Sequence, residues 1–464
     1  MTQGNLWHQW SGSGCPENLR LPNAANRDAS PYDIVIIGAG VVGTALAYKL
    51  SQIQLRILLI DKNNDIGEGT SKGNSAIIHT GFDATPGTLE SSLVTAASQQ
   101  WPALAEKLKV PLKRCGAIVL AIDDEQAKAL PATYEKALAN GVEDVELLDG
   151  DAARALEPHA SNEIRGGLLV HRESIIDPFG VPLAYAEIAL ANGVDILLGA
   201  EVSAITCNDD TEKTVHCVAG TTFRANIVLN AAGLWSRDLT KDYEGELFDT
   251  NPRRGQFLLY DKACAPLAHR ILLPMPTRKT KGMLVSPTIF GNILAGPTAE
   301  DLDPRARSAV DTTPDGLEQI RNSARKLCPD LLEHTPIAAY AGLRCNCTQG
   351  SFLLRFNDGM PGMVTVTGVR STGLSASPAL ADHLVDGMTE HCGLVCEKDR
   401  EAVDSRPESA WPGWWKHPYD DADRLADNPD YGRMVCYCEQ ISRGEIIDAL
   451  NSPITPLTLD AVKR

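Results

Sequence analysis

Apolar and polar residues fall into blocks along this chain, and the blocks read as the strands and helices of an α/β protein. Asp33-Ile-Val-Ile-Ile-Gly38 and Arg56-Ile-Leu-Leu-Ile-Asp61 are short uninterrupted apolar runs, the pattern of strands buried on both faces. A helix is predicted between them over 44–50. Leu89, Leu93, Ala97, Trp101 and Leu104 recur at helical spacing and predict a helix over 88–108. Strands are predicted at 116–122 and 164–170. The alanine-rich stretch 125–139 reads as a helix broken at Pro131 and stopped by Asn140-Gly141. Asp177-Pro178 predicts a helix start, with Asp as the cap and Pro in the first position, running to about 191. Further strands are predicted at 194–198, 201–205 and 227–230. Between 250 and 300, short apolar runs at 256–260, 283–286 and 292–295 alternate with turns, as in an antiparallel sheet. A helix at 315–327, a buried strand at 363–367 and a helix at 378–387 complete the pattern.

Parallel-sheet features therefore occur near the start, in the middle and again near 363–387, with antiparallel material between them. The fold class this implies is α/β, with a discontinuous Rossmann-like nucleotide-binding domain and an inserted antiparallel β-rich substrate domain. The nucleotide-binding parts fall at about 31–110, 165–245 and 335–395, and the substrate-domain parts at about 111–164 and 246–334. Residues 1–30 read as a polar N-terminal extension without the basic start and apolar core of a signal peptide. Residues 396–430, rich in Pro and Trp, read as a linker, and 431–464 as a short terminal segment.

The first block carries chemistry. Gly38-Ala-Gly40-Val-Val-Gly43 follows the first strand and opens a helix, and the second strand ends on Asp61. Gly38 allows the tight turn, Gly40 lets a pyrophosphate approach the backbone, and Gly43 lets the helix pack close to the strand. The helix N-terminus offers unpaired N–H groups to phosphates. Asp61 is placed to accept hydrogen bonds from ribose hydroxyls and would repel a 2′-phosphate. The unit predicts dinucleotide binding.

Composition narrows the class. At 464 residues and 43% hydrophobic content the chain has room for two or three modules and a large core. A formal charge of −17 excludes a nucleic-acid partner, so an anionic substrate must be held by a local group of cations. The apolar run from 34 to 48 is too short to span a bilayer, which leaves peripheral contact with the inner membrane face open. Twelve cysteines without an export signal predict reduced thiols in a cytoplasm.

Four further segments complete a family resemblance. They are Gly69-Thr-Ser-Lys-Gly-Asn-Ser75-Ala-Ile-Ile-His79-Thr-Gly81 followed by Pro86-Gly-Thr-Leu89, Asn230-Ala-Ala-Gly-Leu-Trp-Ser236, Ala341-Gly-Leu-Arg344, and Gly368-Val-Arg370-Ser-Thr-Gly373-Leu-Ser-Ala-Ser-Pro378. With the glycine fingerprint they resemble the FAD-dependent oxidoreductases of the D-amino-acid oxidase and glycerol-3-phosphate dehydrogenase superfamily, over about residues 31–395. The first segment is most similar to the L-2-hydroxyglutarate oxidase branch.

The resemblance implies that the dinucleotide is FAD. It assigns flavin contacts to Gly38, Gly40, Gly43, Asp61, Thr70, Ser71, Asn74 and Ser75, with Val202 beside the adenine. Ala232 and Gly233 close over the cofactor, and Gly368, Thr372, Gly373 and Leu374 form the flavin-ring segment. A glycine-rich loop entering a helix there would aim N–H groups at the ring and stabilise its charge on reduction. The implied activity is hydride transfer from a small anionic 2-hydroxy compound, of glycerol-3-phosphate or 2-hydroxyglutarate type. Oxidation of an amino acid or secondary amine, and a flavin subunit passing electrons to an iron–sulfur partner, stay open as alternatives.

Alcohol oxidation by a flavin also needs a base and an anion clamp. His79, which the family places beside the flavin, is the candidate base, because an imidazole takes protons near neutrality. Arg344 is the candidate clamp, since a guanidinium grips a carboxylate or phosphate through two parallel hydrogen bonds. Arg370 would add positive charge near the ring. Arg254 and Lys281, from the antiparallel region, are candidate substrate contacts, whereas His171 reads as structural. Cys436-Tyr-Cys438 resembles the start of a bacterioferritin-associated-ferredoxin-like [2Fe–2S] module, but no cysteine follows in the remaining 26 residues. The segment alone supplies two of the four thiolates that a cluster needs. A quinone, oxygen or an iron–sulfur protein remains open as the electron acceptor.

Overall fold

Two large sheets organise the chain, each built from segments far apart in sequence. The computed structural model describes residues 30–207, 212–240, 248–276, 282–396, 401–406, 417–437 and 439–463. The N-terminal extension, apart from residue 30, lies outside them.

The two apolar runs form adjacent parallel strands, β1 (Tyr32–Ile37) and β2 (Ile57–Ile60). Every residue of β2 is buried, which explains why the run never alternates with polar residues. Helix α1 (Val41–Leu50) connects them, beginning at Val41 rather than Thr44, so that Gly43 lies within its first turn. Strand Thr222–Asn230 runs parallel to β1, with Ile34 opposite Ile227 and Ile37 opposite Asn230. Its other edge meets Lys213–Cys217 near the start and Met363–Thr367 near the end. Asp195–Leu197 extends the sheet beyond β2, and the whole has eight strands. Residues near 35, 230 and 365 thus share one layer, as the interleaved pattern predicts. Helices α1, Leu89–Leu108, Gly180–Ala191 and Gly373–Cys392 pack together around the largest apolar core.

The second sheet has nine strands and is largely antiparallel. Its longest pair is Thr250–Tyr260 against Pro336–Cys347. Two segments expected in the nucleotide-binding parts belong here instead. Gly166–Val170 pairs with Ala117–Ala121, and Pro336–Cys347 with the long strand. A small third sheet, in which Ser174–Ile176 pairs with both Ile77–Ile78 and Leu112–Lys113, lies close to both.

Several local expectations are corrected. Helix Asp124–Ala139 passes through Pro131 without a break. The helix expected at Pro378 starts at Gly373, because the Ser377 hydroxyl donates to Leu374 O (3.0 Å) and takes the carbonyl that proline, lacking an N–H, leaves open. Asp177 does not cap its helix directly. Its carboxylate accepts from Phe179 N (2.9 Å) in a turn, and the helix starts at Gly180.

The expected linker is docked where it is described. Val403 exchanges two backbone hydrogen bonds with the Asn192 side chain, and Arg406 inserts its guanidinium against Glu187 (2.5 Å), both side chains buried. Arg406→Ala would strand that carboxylate in the core. It is expected to cost about 3 kcal/mol, read as a fall in the urea midpoint at unchanged slope.

In the terminal segment, Met434–Cys436 and Ile441–Ser442 form a hairpin, and Ser442 and Glu445 form a capping box on helix Arg443–Leu450. Cys436 lies on the hairpin, and Cys438 is outside the described residues. Among the described residues no group of three or more His, Cys, Asp or Glu side chains is placed to hold a metal. Every described cysteine is a free thiol. No described helix is long and apolar enough to cross a membrane.

Candidate active site

A cavity of about 540 Å³ runs between the two large sheets, and its walls collect most of the sequence-predicted residues. Asp61, Val202 and the start of α1 with Gly38 and Gly40 line it, as do the flavin-loop residues Thr70, Ser71, Asn74 and Ser75 and the pair Ala232 and Gly233. His79, Arg344, Gly368, Arg370, Gly373 and Leu374 are also on its wall.

The first part of the wall follows from the glycine turn. Gly38 adopts φ +110°, and a Cβ there would lie 2.5 Å from Ala231 O. Gly43 does not line the cavity. Its role is packing, since a Cβ would sit 1.9 Å from Gly38 O. The N-cap residue Gly40 has no side chain to cap α1, and of its first N–H groups Val41 N donates to Ser71 Oγ (2.9 Å). Asp61 accepts from Ala39 N (2.7 Å) and Asn63 N (2.8 Å), which fixes the carboxylate on the wall. Burial pushes its carboxyl up from the ordinary carboxylate range. Sequence reading missed Lys62, whose ammonium lies 3.3 Å from the centroid of the Trp235 ring, with both residues on the wall.

In the small sheet, the register Ile78↔Ser174 brings the next residues, His79 and Glu173, face to face. His79 Nδ1 lies 2.9 Å from Glu173 Oε2, while Glu173 Oε1 accepts from Thr80 N (2.6 Å) and Thr80 Oγ1 (2.9 Å). The His79 backbone donates to Ser375 Oγ (2.9 Å), tying it to the first turn of helix Gly373–Cys392. Thr372 makes no side-chain capping bond to that helix, and its first residues Gly373 and Leu374 line the cavity.

Arg344 and Arg253 are directly opposite one another on the long antiparallel pair and both line the cavity. Gly255, on the same face as Arg253, makes room. A Cβ there would lie 2.7 Å from an Arg344 guanidinium nitrogen. Arg253 is neutralised by a two-point pair with Asp301 (2.6 and 2.8 Å). Arg344 donates to Thr298 O (3.2 Å) and has no carboxylate partner among the described residues. Burial, and secondarily Arg253, pushes its guanidinium down to about 10.

Three predicted residues are placed differently. Arg254 faces the other side of its strand, away from the cavity, held by Glu300 (2.8 Å) and Asp311 O (3.0 Å). Strand alternation gives its neighbour Arg253 the place on the wall. Thr372 does not line the cavity, because its hydroxyl donates to Glu90 (2.8 Å). Glu90 also accepts from Arg370 (3.2 Å), so Arg370 is ion-paired at the cavity wall. Lys281 lies outside the described residues. His171 is half-exposed, 3.8 Å from Glu146, and plays no part in the cavity.

A cavity whose wall carries a buried acid and the N-termini of two helices fits a dinucleotide. Residues 33–387 match the family described as FAD dependent oxidoreductase, and the chain belongs to that family. The glycerol 3-phosphate dehydrogenase of Caloramator mitchellensis is 35% identical over 435 residues, covering 93% of this chain and 89% of that protein. The L-2-hydroxyglutarate dehydrogenase of Escherichia coli (strain K12) is 27% identical over 273 residues, covering 58% of this chain and 64% of that one. Among solved structures, dithionite-reduced L-alpha-glycerophosphate oxidase from Mycoplasma pneumoniae with FAD bound superposes with a TM-score of 0.76 at 27% identity. It covers 81% of this chain and 98% of that one.

Proposed function

We propose that this protein oxidises glycerol 3-phosphate, with L-2-hydroxyglutarate the runner-up. The eight-stranded layer would hold FAD and the nine-stranded layer would carry the substrate's anionic group. The observation that carries the reading is Arg344, a buried guanidinium on the cavity wall without a carboxylate of its own. A cation kept in that state is matched to a ligand phosphate or carboxylate. The named activities of the similar proteins support the same substrate class.

The fingerprint turn, Asp61, Thr70, Ser71, Asn74 and Ser75 would hold the nucleotide half, and Gly368, Gly373 and Leu374 the ring. FAD, when bound, accepts the hydride and its two electrons as the carbinol carbon becomes a carbonyl. His79 would take the hydroxyl proton on Nε2, the nitrogen not committed to Glu173. Arg344 would orient the substrate through its anion, and Arg370, ion-paired with Glu90, would flank the ring.

Anaerobic mixing of the yellow protein with glycerol 3-phosphate, L-2-hydroxyglutarate and small amino acids tests this directly. Glycerol 3-phosphate is expected to bleach the flavin fastest. Bleaching by amines alone, or by none of the three, refutes the reading. Peroxide formation in air, against reduction of a quinone under argon, then identifies the acceptor class. His79→Asn is expected to keep its flavin spectrum and slow bleaching by about 10²–10⁴-fold.

A further inference from the structure

We propose that Glu173 is a positioning residue that makes His79 a base by fixing which of its ring nitrogens carries the proton. The proposal rests on the reading of His79 given above and adds to it a residue outside every motif in the sequence.

The geometry leaves little choice. Glu173 is fully buried, and three donors converge on its two oxygens: Thr80 N and Thr80 Oγ1 on Oε1, and His79 Nδ1 on Oε2. A carboxylate offers acceptors only, so Nδ1 must donate, and in the neutral ring Nε2 is left bare. No described protein group hydrogen-bonds to Nε2, and His79 lines the same cavity as Arg344, tied through Ser375 to the first turn of the Gly373 helix. A bare Nε2 is the form of imidazole that accepts a proton. As the carbinol gives up its hydride, its hydroxyl proton moves to Nε2. The imidazolium that results is balanced by the Glu173 carboxylate.

The Thr80 backbone N–H sharpens the test, because it cannot stop donating. Glutamine at 173 must therefore turn its carbonyl oxygen toward Thr80 and its amide NH2 toward His79 Nδ1. Nδ1 then becomes the acceptor, and the ring proton moves to Nε2. An isosteric replacement thus inverts the tautomer and disables the base while keeping the shape of the site.

Nitrogen-15 NMR of imidazole-labelled, oxidised protein without substrate, recorded above neutral pH, reads the tautomer itself. His79→Asn identifies the signals. The wild-type protein is expected to show a protonated Nδ1 and a bare Nε2, and Glu173→Gln the reverse. In stopped-flow reduction by glycerol 3-phosphate, Glu173→Gln is expected to slow bleaching by about 10²-fold or more. Its half-saturating substrate concentration should stay within about threefold of wild type. The double variant with His79→Asn should be no slower than His79→Asn alone.

A wild-type His79 protonated on Nε2 overturns the proposal, and that spectrum decides the matter even if Glu173→Gln fails to fold. An unslowed Glu173→Gln, or a loss that persists undiminished in the His79→Asn background, overturns it as well, while leaving the reading of His79 intact. A His79→Asn protein that reduces at the wild-type rate instead sinks the base reading, and the catalytic role of Glu173 with it.

Discussion

Gly43→Ala is expected to yield a folded protein that purifies without its yellow colour. The new methyl would lie 1.9 Å from Gly38 O, 3.1 Å from Gly38 C and 3.3 Å from Ile36 Cγ2. None of these can retreat. Gly38 N donates to Ile60 O (2.8 Å), and there is little room on its other side, where even a Cβ would lie 2.5 Å from Ala231 O. Helix α1 must therefore lift off β1, and its N-terminus moves away from the cavity wall it forms. Overpacking of this kind costs about 1–3 kcal/mol. Because the displaced part is the cofactor-facing end, the cost should appear mainly in FAD affinity, as a fall of at least about tenfold. Flavin absorbance per chain, set beside far-ultraviolet circular dichroism, checks this. A folded Gly43→Ala protein with full flavin content would show that the turn does not grip the cofactor as described.

The same glycine turn marks what was legible in the sequence. β1, α1, β2 and Asp61 lie within one short contiguous unit, so their spacing alone fixes their relation in space. The long strand pair was harder to read. Pro336–Cys347 contains Ala338, Ala339 and Gly342, with little β-branched alternation, and only its pairing with Thr250–Tyr260 makes it a strand. The choice between Arg253 and Arg254 turns on the phase of that strand, which two adjacent arginines cannot reveal. Gly255 held the available clue, because it shares a face with Arg253 and has no side chain to block Arg344. Glu173 and Glu90 carried no local signal at all. Each becomes a partner of the site only when segments 80 or more residues apart pair, in the registers Ile78↔Ser174 and through the Arg370–Glu90 contact. Prolines misled in the other direction, since a neighbouring serine or an exposed helix face can absorb a missing N–H without ending the helix.

Arg344→Ala is expected to raise the half-saturating concentration of glycerol 3-phosphate by about 10²-fold or more. Losing one partner of a buried, charged hydrogen-bonded pair costs about 2–5 kcal/mol, and about 2.7 kcal/mol corresponds to that factor. The sign of the accompanying stability change separates an anion clamp from a structural ion pair. A guanidinium in a buried structural pair leaves a stranded carboxylate when removed, and the protein weakens. Arg344 has no carboxylate among the described residues, and its guanidinium is pushed down to about 10 by burial and by Arg253. Without substrate, its charge is a burden on the fold. Arg344→Ala should therefore match or exceed the wild-type denaturation midpoint in the absence of substrate, even as it binds the anion poorly. Arg344→Lys should fall between, because an ammonium keeps the charge but lacks the two-pronged geometry. Propane-1,2-diol, which keeps the secondary alcohol and lacks the phosphate, provides the decisive comparison. The alanine variant should oxidise it no more slowly than wild type does. Equal losses on the diol and on glycerol 3-phosphate would mean that Arg344 shapes the site without gripping the anion.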